Sequence, residues 1–156
     1  MRLSLKISLA VHILLVTRFY SDTTRVTGKL LTRSTGHNPV VVRMITLSMK
    51  KAGILKVQRG ANGGSALSRS PEDISLFDIM EAVDPESIQD FVDCVHLGSS
   101  QICPVGRRIQ EVLKDPYRRI AEVIEQEMRK ITLDDLSRGI SLEEIDIHKK
   151  NQFQIF

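Results

Sequence analysis

The amino-acid sequence predicts a mainly α protein: a winged helix-turn-helix with a two-stranded wing, followed by a long C-terminal dimerisation helix. Three observations predict it. A capped helix follows a glycine-containing turn at Asn38-Pro39. Two short apolar runs flank a glycine-rich loop at 58–64. Apolar residues then recur at intervals of three and four along 106–131, opening at Gly106 and closing at Ile131.

At the start of the chain, Leu3, Ile7, Ala10, Val11 and Leu14 fall at helical spacing and read as a first core helix. Arg2 and Lys6 ahead of the apolar run imitate a secretory leader. His12 interrupts that run, however, Arg18 closes it, and no small-residue cleavage site follows. It is also too short to span a bilayer, so no membrane association is expected. A polar connection follows at 20–25, and Thr24 is expected to cap a short helix reaching about Arg33. Ser34-Thr35-Gly36-His37 reads as the turn. Asn38 caps the third helix, Pro39 occupies its first position, and Gly53 stands just past its end.

Residues 54–57 and 65–67 then form the wing around Gln58-Arg59-Gly60-Ala61-Asn62-Gly63-Gly64. These glycines are not a nucleotide loop, because no Lys-Ser/Thr ending is present and no helix follows at once. Residues 70–83 are expected to be one capped helix, with Ile74, Leu76, Phe77, Ile79, Met80 and Val83 as its apolar face. An irregular stretch at 84–105 holds both cysteines. The long helix of 106–131 is expected to kink or split at Pro116. Thr132-Leu133-Asp134-Asp135 starts another helix, Gly139 stops it, and Ser141-Leu142-Glu143-Glu144 starts a last one, with the chain loose from His148 onward. The expected organisation is a DNA-binding domain at 1–83, a sensor-like segment at 84–105, a dimerisation region at 106–136 and a C-terminal helix and tail at 137–156.

Charge divides along the same lines. Residues 1–71 carry 12 Lys/Arg and one acid, Asp22, whereas residues 72–156 carry 10 Lys/Arg and 18 acids. The halves, near +11 and −8, are concealed by a whole-chain charge of +3. A basic half suits a search for a phosphate backbone, since each neutralised phosphate releases condensed counterions. Covering the stripe of the long helix with its own copy makes a two-fold dimer, which reads a palindromic site. This reading is preferred to the stripe packing back on the winged domain. Two cysteines in 156 residues make no secreted disulfide framework, so a reducing, cytoplasmic setting is expected.

An enzyme is not expected. His12, His37, His96 and His148 are scattered, with no catalytic triad, carboxylate pair or zinc spacing around them. The rival readings are a cysteine-based oxidoreductase, although Cys94 and Cys103 lack a CxxC spacing, and a helical interaction module that does not bind DNA. The latter leaves the basic half without a purpose.

The stretches Asn38-Pro39-Val40-Val41-Val42-Arg43, Lys51-Ala52-Gly53-Ile54-Leu55, Arg59-Gly60-Ala61-Asn62-Gly63-Gly64 and Ile74 to Val83 resemble the recognition helix, wing and following helix of the Rrf2 family of bacterial transcription regulators. Cys103-Pro104-Val105-Gly106 and Thr132-Leu133-Asp134-Asp135-Leu136 resemble its YwnA-like branch. The resemblance covers the chain to about residue 136. It implies a homodimeric, sequence-specific DNA-binding regulator, a repressor, acting on an A·T-rich imperfect palindrome.

It further implies that the helix from Asn38 enters the major groove, with Arg43 on a guanine and Val40 on a thymine methyl. Arg59, Asn62 and the backbone at Gly63 meet the minor groove, and Lys50 and Lys51 meet phosphates. The family often senses through an iron-sulfur cluster on three cysteines. Here the middle one is missing, so no cofactor is expected and no metal site is assigned. Cys94 and Cys103 read equally as a thiol redox switch or as two inert buried thiols.

Overall fold

The computed structural model describes residues 4–58, 60, 63–93 and 102–152, with side chains to 150. Its elements are α1 (Leu5–Tyr20), α2 (Gly28–Thr35), α3 (Pro39–Lys51), β1 (Leu55–Gln58), β2 (Gly64–Leu67), a 3-10 turn (Pro71–Asp73), α4 (Leu76–Val83), α5 (Ser87–Val92), α6 (Pro104–Lys130), α7 (Leu133–Ser137) and α8 (Leu142–Gln152). This is the mainly helical winged helix-turn-helix with a long C-terminal helix that the sequence predicts. No described helix is long and apolar enough to cross a membrane.

Helix α1 is the hub. It buries Ile7, Leu9, Ala10, Ile13, Leu14 and Val16, and it touches α2, α3, α4, β2 and α7. Its one buried hydroxyl, on Thr17, donates to the Ile13 carbonyl at 2.8 Å, so the polar group is satisfied within the helix. The core continues through Leu31, Val42, Ile45, Met49, Ile54, Leu55, Ile74, Ile79 and Met80 to Met128 and Leu133.

Two starts differ from the sequence expectation, for one physical reason. Thr27, not Thr24, caps α2, its Oγ1 accepting the Leu30 N–H at 3.2 Å. Val26 is buried and bridges Ser65 of β2, which donates its N–H to the Val26 carbonyl at 2.9 Å, so the chain must stay extended through 26. Likewise 70–83 is not one helix. The 3-10 turn gives way to an extended, fully buried Ile74, and α4 starts only after Ser75. The Ile74 carbonyl accepts the Leu133 N–H and the Leu76 N–H donates to the Ile131 carbonyl, each at 2.8 Å. From this bridge, Ser75 with Asp78 and Thr132 with Asp135 form two capping boxes that launch α4 and α7. Each cap is worth about 1 kcal/mol. The ion pair of Arg18 with Asp134 at 2.7 Å ties α7 to α1, and Arg138 approaches the same carboxylate at 2.9 Å. Hydrogen bonds from Arg18 and then Arg138 hold the Asp134 carboxyl below its ordinary range.

Three expectations about the second half need correction. The segment 84–105 is not wholly irregular: it contains α5, whose Phe91 stacks on Tyr117 of α6 at 5.5 Å between ring centroids. Pro116 does not split α6, which runs for 27 residues as one element. The ring removes the N–H that would meet the Val112 carbonyl, and Val112 is solvent-exposed, so water can take that carbonyl. Nor is the chain loose from His148 to Gln152, where α8 continues and His148 Nδ1 lies 2.9 Å from the Tyr20 hydroxyl, while 153–156 lie outside the described residues.

Candidate nucleic-acid interface

Helix α3 is positioned by its own ends. The Asn38 side chain accepts the Val40 N–H at 2.8 Å, and Pro39 supplies a preset φ at the first helical position. The flanking turns need left-handed backbone, which Gly36 (φ 67°) and Gly53 (φ 70°) adopt without a Cβ clash. Val42, Ile45, Thr46 and Met49 anchor one face of α3 in the core. The opposite face is therefore forced outward, with Val40 67% exposed and Met44 56% exposed beside Leu47, Arg43 and Lys51.

An exposed apolar strip flanked by cations is costly in water and suits the edges of bases, where thymine methyls give apolar contact and guanine accepts from a guanidinium. Among the described residues Arg43 and Lys51 form no hydrogen bond or ion pair, so both are free for a ligand. Lys50 differs: its Nζ reaches the Val57 carbonyl at 3.4 Å, tying the end of α3 to the wing. Asn38 spends its oxygen on the cap and keeps only its amide for an outside contact.

The wing pairs β1 with β2 in antiparallel register, Leu55 opposite Leu67 and Gln58 opposite Gly64. Gly63 donates its N–H to the Gly60 carbonyl at 2.9 Å, so that donor closes the loop. Arg59 and Asn62, the wing residues assigned from the sequence, lie outside the described residues. Sequence reasoning missed Met44 and Leu47, although they follow Val40 at i+4 and i+7. It also missed Lys29 and Arg33, exposed on α2 beside α3. From 23 to 71 the chain holds nine Lys/Arg and no acid, so this surface carries one sign.

The long helix presents two apolar faces. Ile124 and Met128 pack on the winged body, Ala121 is buried as well, and the Arg129 guanidinium lies over the Phe77 ring at 3.7 Å. Part of the stripe thus packs back on the first half. A second line, Val105, Ile109, Val112, Pro116, Ile120 and Val123, recurs at four and three, with Val112 62% and Val123 64% exposed. Cys103 is an exposed free thiol at the start of α6, while Cys94 and His96 lie outside the described residues. Two cysteines in the whole chain cannot supply a three-thiolate cluster site.

A family model described as Rrf2, iron-dependent transcriptional regulator, matches residues 3–139. The chain is 32% identical over 131 residues to YwnA of Bacillus subtilis, named as an HTH-type transcriptional regulator, spanning 84% of this chain and 93% of that one. A solved structure named as a DNA binding protein superposes with a TM-score of 0.65 at 29% identity, covering 84% of this chain and 97% of the other. CymR, the global cysteine regulator of B. subtilis, shares the fold with a TM-score of 0.64 at 18% identity, over 90% and 99% of the two chains.

Proposed function

Starting from the Rrf2 family of DNA-binding transcription regulators, to which this chain belongs, we propose that it acts as a homodimeric repressor in the cytoplasm, reading an A·T-rich imperfect palindrome. The observation that carries this is the outward face of α3, an exposed apolar strip with a free Arg43 on an acid-free surface. Val40, with Met44 and Leu47, meets thymine methyls; Arg43 meets a guanine; Arg59 and Asn62 enter the minor groove from the wing. Lys50 and Lys51 contact phosphates, joined by Asn38 through its amide. Gly63 shapes the turn. The second apolar line of α6 meets its own copy, because a continuous row at heptad-like spacing needs cover and two-fold symmetry matches a palindrome. The chain works without an iron-sulfur cluster.

A salt titration of binding to a selected palindrome tests this reading. The affinity is expected to fall steeply and linearly on a log–log plot, as counterion release requires. Binding without salt dependence, or absent from a genomic library, would overturn it. Lys51→Ala should weaken every sequence alike and lower the salt slope by about 1.

The regulator also responds to thiol oxidation through Cys94 and Cys103. The exposed Cys103 thiol stands just before α6, open to an oxidant from solvent. Diamide should change DNA affinity, taking two electrons and two protons as a disulfide forms, and Cys103→Ser should abolish the change. A response that survives in that variant removes Cys103 from the mechanism.

A further inference from the structure

Across residues 40–47 the exposed side chains of α3 are Val40, Val41, Arg43, Met44 and Leu47, so on this face Arg43 alone can form a hydrogen bond. Val40, Met44 and Leu47 follow one another at four and three and are 67%, 56% and 37% exposed. At 1.5 Å per residue their line is about 10 Å long, the span of about three base pairs. The nine Lys/Arg and absent acids of 23–71 set this apolar line in a surface that suits a polyanion. In a major groove the apolar feature on a pyrimidine edge is the methyl group at C5.

Thymine and cytosine also differ at position 4, where thymine accepts a hydrogen bond and cytosine donates one. Recognising the cytosine amine takes an acceptor, and α3 offers none: no acid stands from 23 to 71, and the Asn38 oxygen is taken by the Val40 N–H. A cytosine methylated at C5 therefore presents to Val40, Met44 and Leu47 the same group that thymine does. Its partner guanine, unlike the adenine opposite thymine, offers the O6 and N7 acceptors that a guanidinium takes together. Arg43 adjoins Met44 in sequence and stands between Val40 and Leu47, so methyl and guanine contacts fall side by side. We propose that α3 reads the C5-methyl group itself, so that 5-methylcytosine substitutes for thymine and cytosine methylation within the operator strengthens binding. This rests on the reading of α3 as the major-groove helix.

Synthetic duplexes of one selected palindrome test this, with the affinity of the full chain read by fluorescence anisotropy. Each thymine is replaced in turn by deoxyuridine, which removes only the methyl, and then by cytosine or 5-methylcytosine with guanine opposite. Uracil under the strip should weaken binding about fourfold for each methyl lost. At the same positions 5-methylcytosine should bind at least about fourfold more tightly than cytosine. Val40→Ala and Met44→Ala shorten exposed side chains and leave the core intact. Each should shrink the methyl effect at its own position to less than about twofold and leave it unchanged at the others, which separates a direct contact from a change in duplex shape. Uracil equal to thymine throughout, 5-methylcytosine no better than cytosine, or a methyl effect undiminished in both variants would overturn the proposal. If selective binding persists in those cases, the DNA reading of α3 stands without it. If every sequence binds alike and Arg43→Ala changes nothing, the reading of α3 fails and the proposal with it.

Discussion

Placing glutamate at both Val112 and Val123 is expected to turn the protein into a monomer and to weaken binding to a full palindrome by about 10²–10⁴-fold. Both side chains are mostly exposed in the single chain, so the substitutions bury no charge within it, and a thermal melt should show the winged half folded as before. In a dimer joined through this line, each glutamate would be buried against apolar groups or against its own copy, and an unpaired buried carboxylate is strongly unfavourable. Loss of the dimer removes the second half-site from simultaneous contact, so its contribution at high effective concentration disappears. Light scattering gives the mass and fluorescence anisotropy gives the affinity. A variant that stays dimeric places the interface elsewhere. One that becomes monomeric but binds the palindrome unchanged means the two half-sites are not read together.

Arg43→Ala should cost about 1–3 kcal/mol at a cognate guanine and flatten sequence preference at that base pair, with little loss on unrelated DNA. The side chain is exposed on the outward face of α3 and carries no internal contact among the described residues, so the fold loses nothing with it. That separates it from Lys51, whose removal should act on all sequences equally. Binding-site selection with each variant distinguishes the two roles. A uniform loss for Arg43→Ala would make it another phosphate contact and leave base reading to the apolar strip of Val40, Met44 and Leu47.

Much of this was legible before any coordinates. The cap at Asn38, Pro39 at the helix start, and the glycines at 36 and 53 announce α3 through local steric rules, and the structure follows them residue for residue. The reading head was only half legible. Arg43 and Val40 stand out by type, whereas Met44 and Leu47 look like core residues. Their exposure depends on which face of α3 the core claims, and Val42, Ile45 and Met49 claim the other one.

The sequence by itself determined the local elements and the charge division. Caps, glycine turns and helical spacing are matters of neighbours three or four residues apart, and a run of 49 residues without an acid, 23–71, is basic in any fold. Only the tertiary structure decided where extension overrides helix, at Val26 and Ile74, because the atoms that pair with them lie at Ser65 and Leu133. The same holds for α6, whose apolar residues are divided between the body and an uncovered line by contacts with α4 and α5. It holds also for the hollow between α2, α3 and the wing, whose Leu31, Arg43, Val57 and Ser65 come from four different elements. Such features require partners distant in sequence, and nothing in the local chain specifies them.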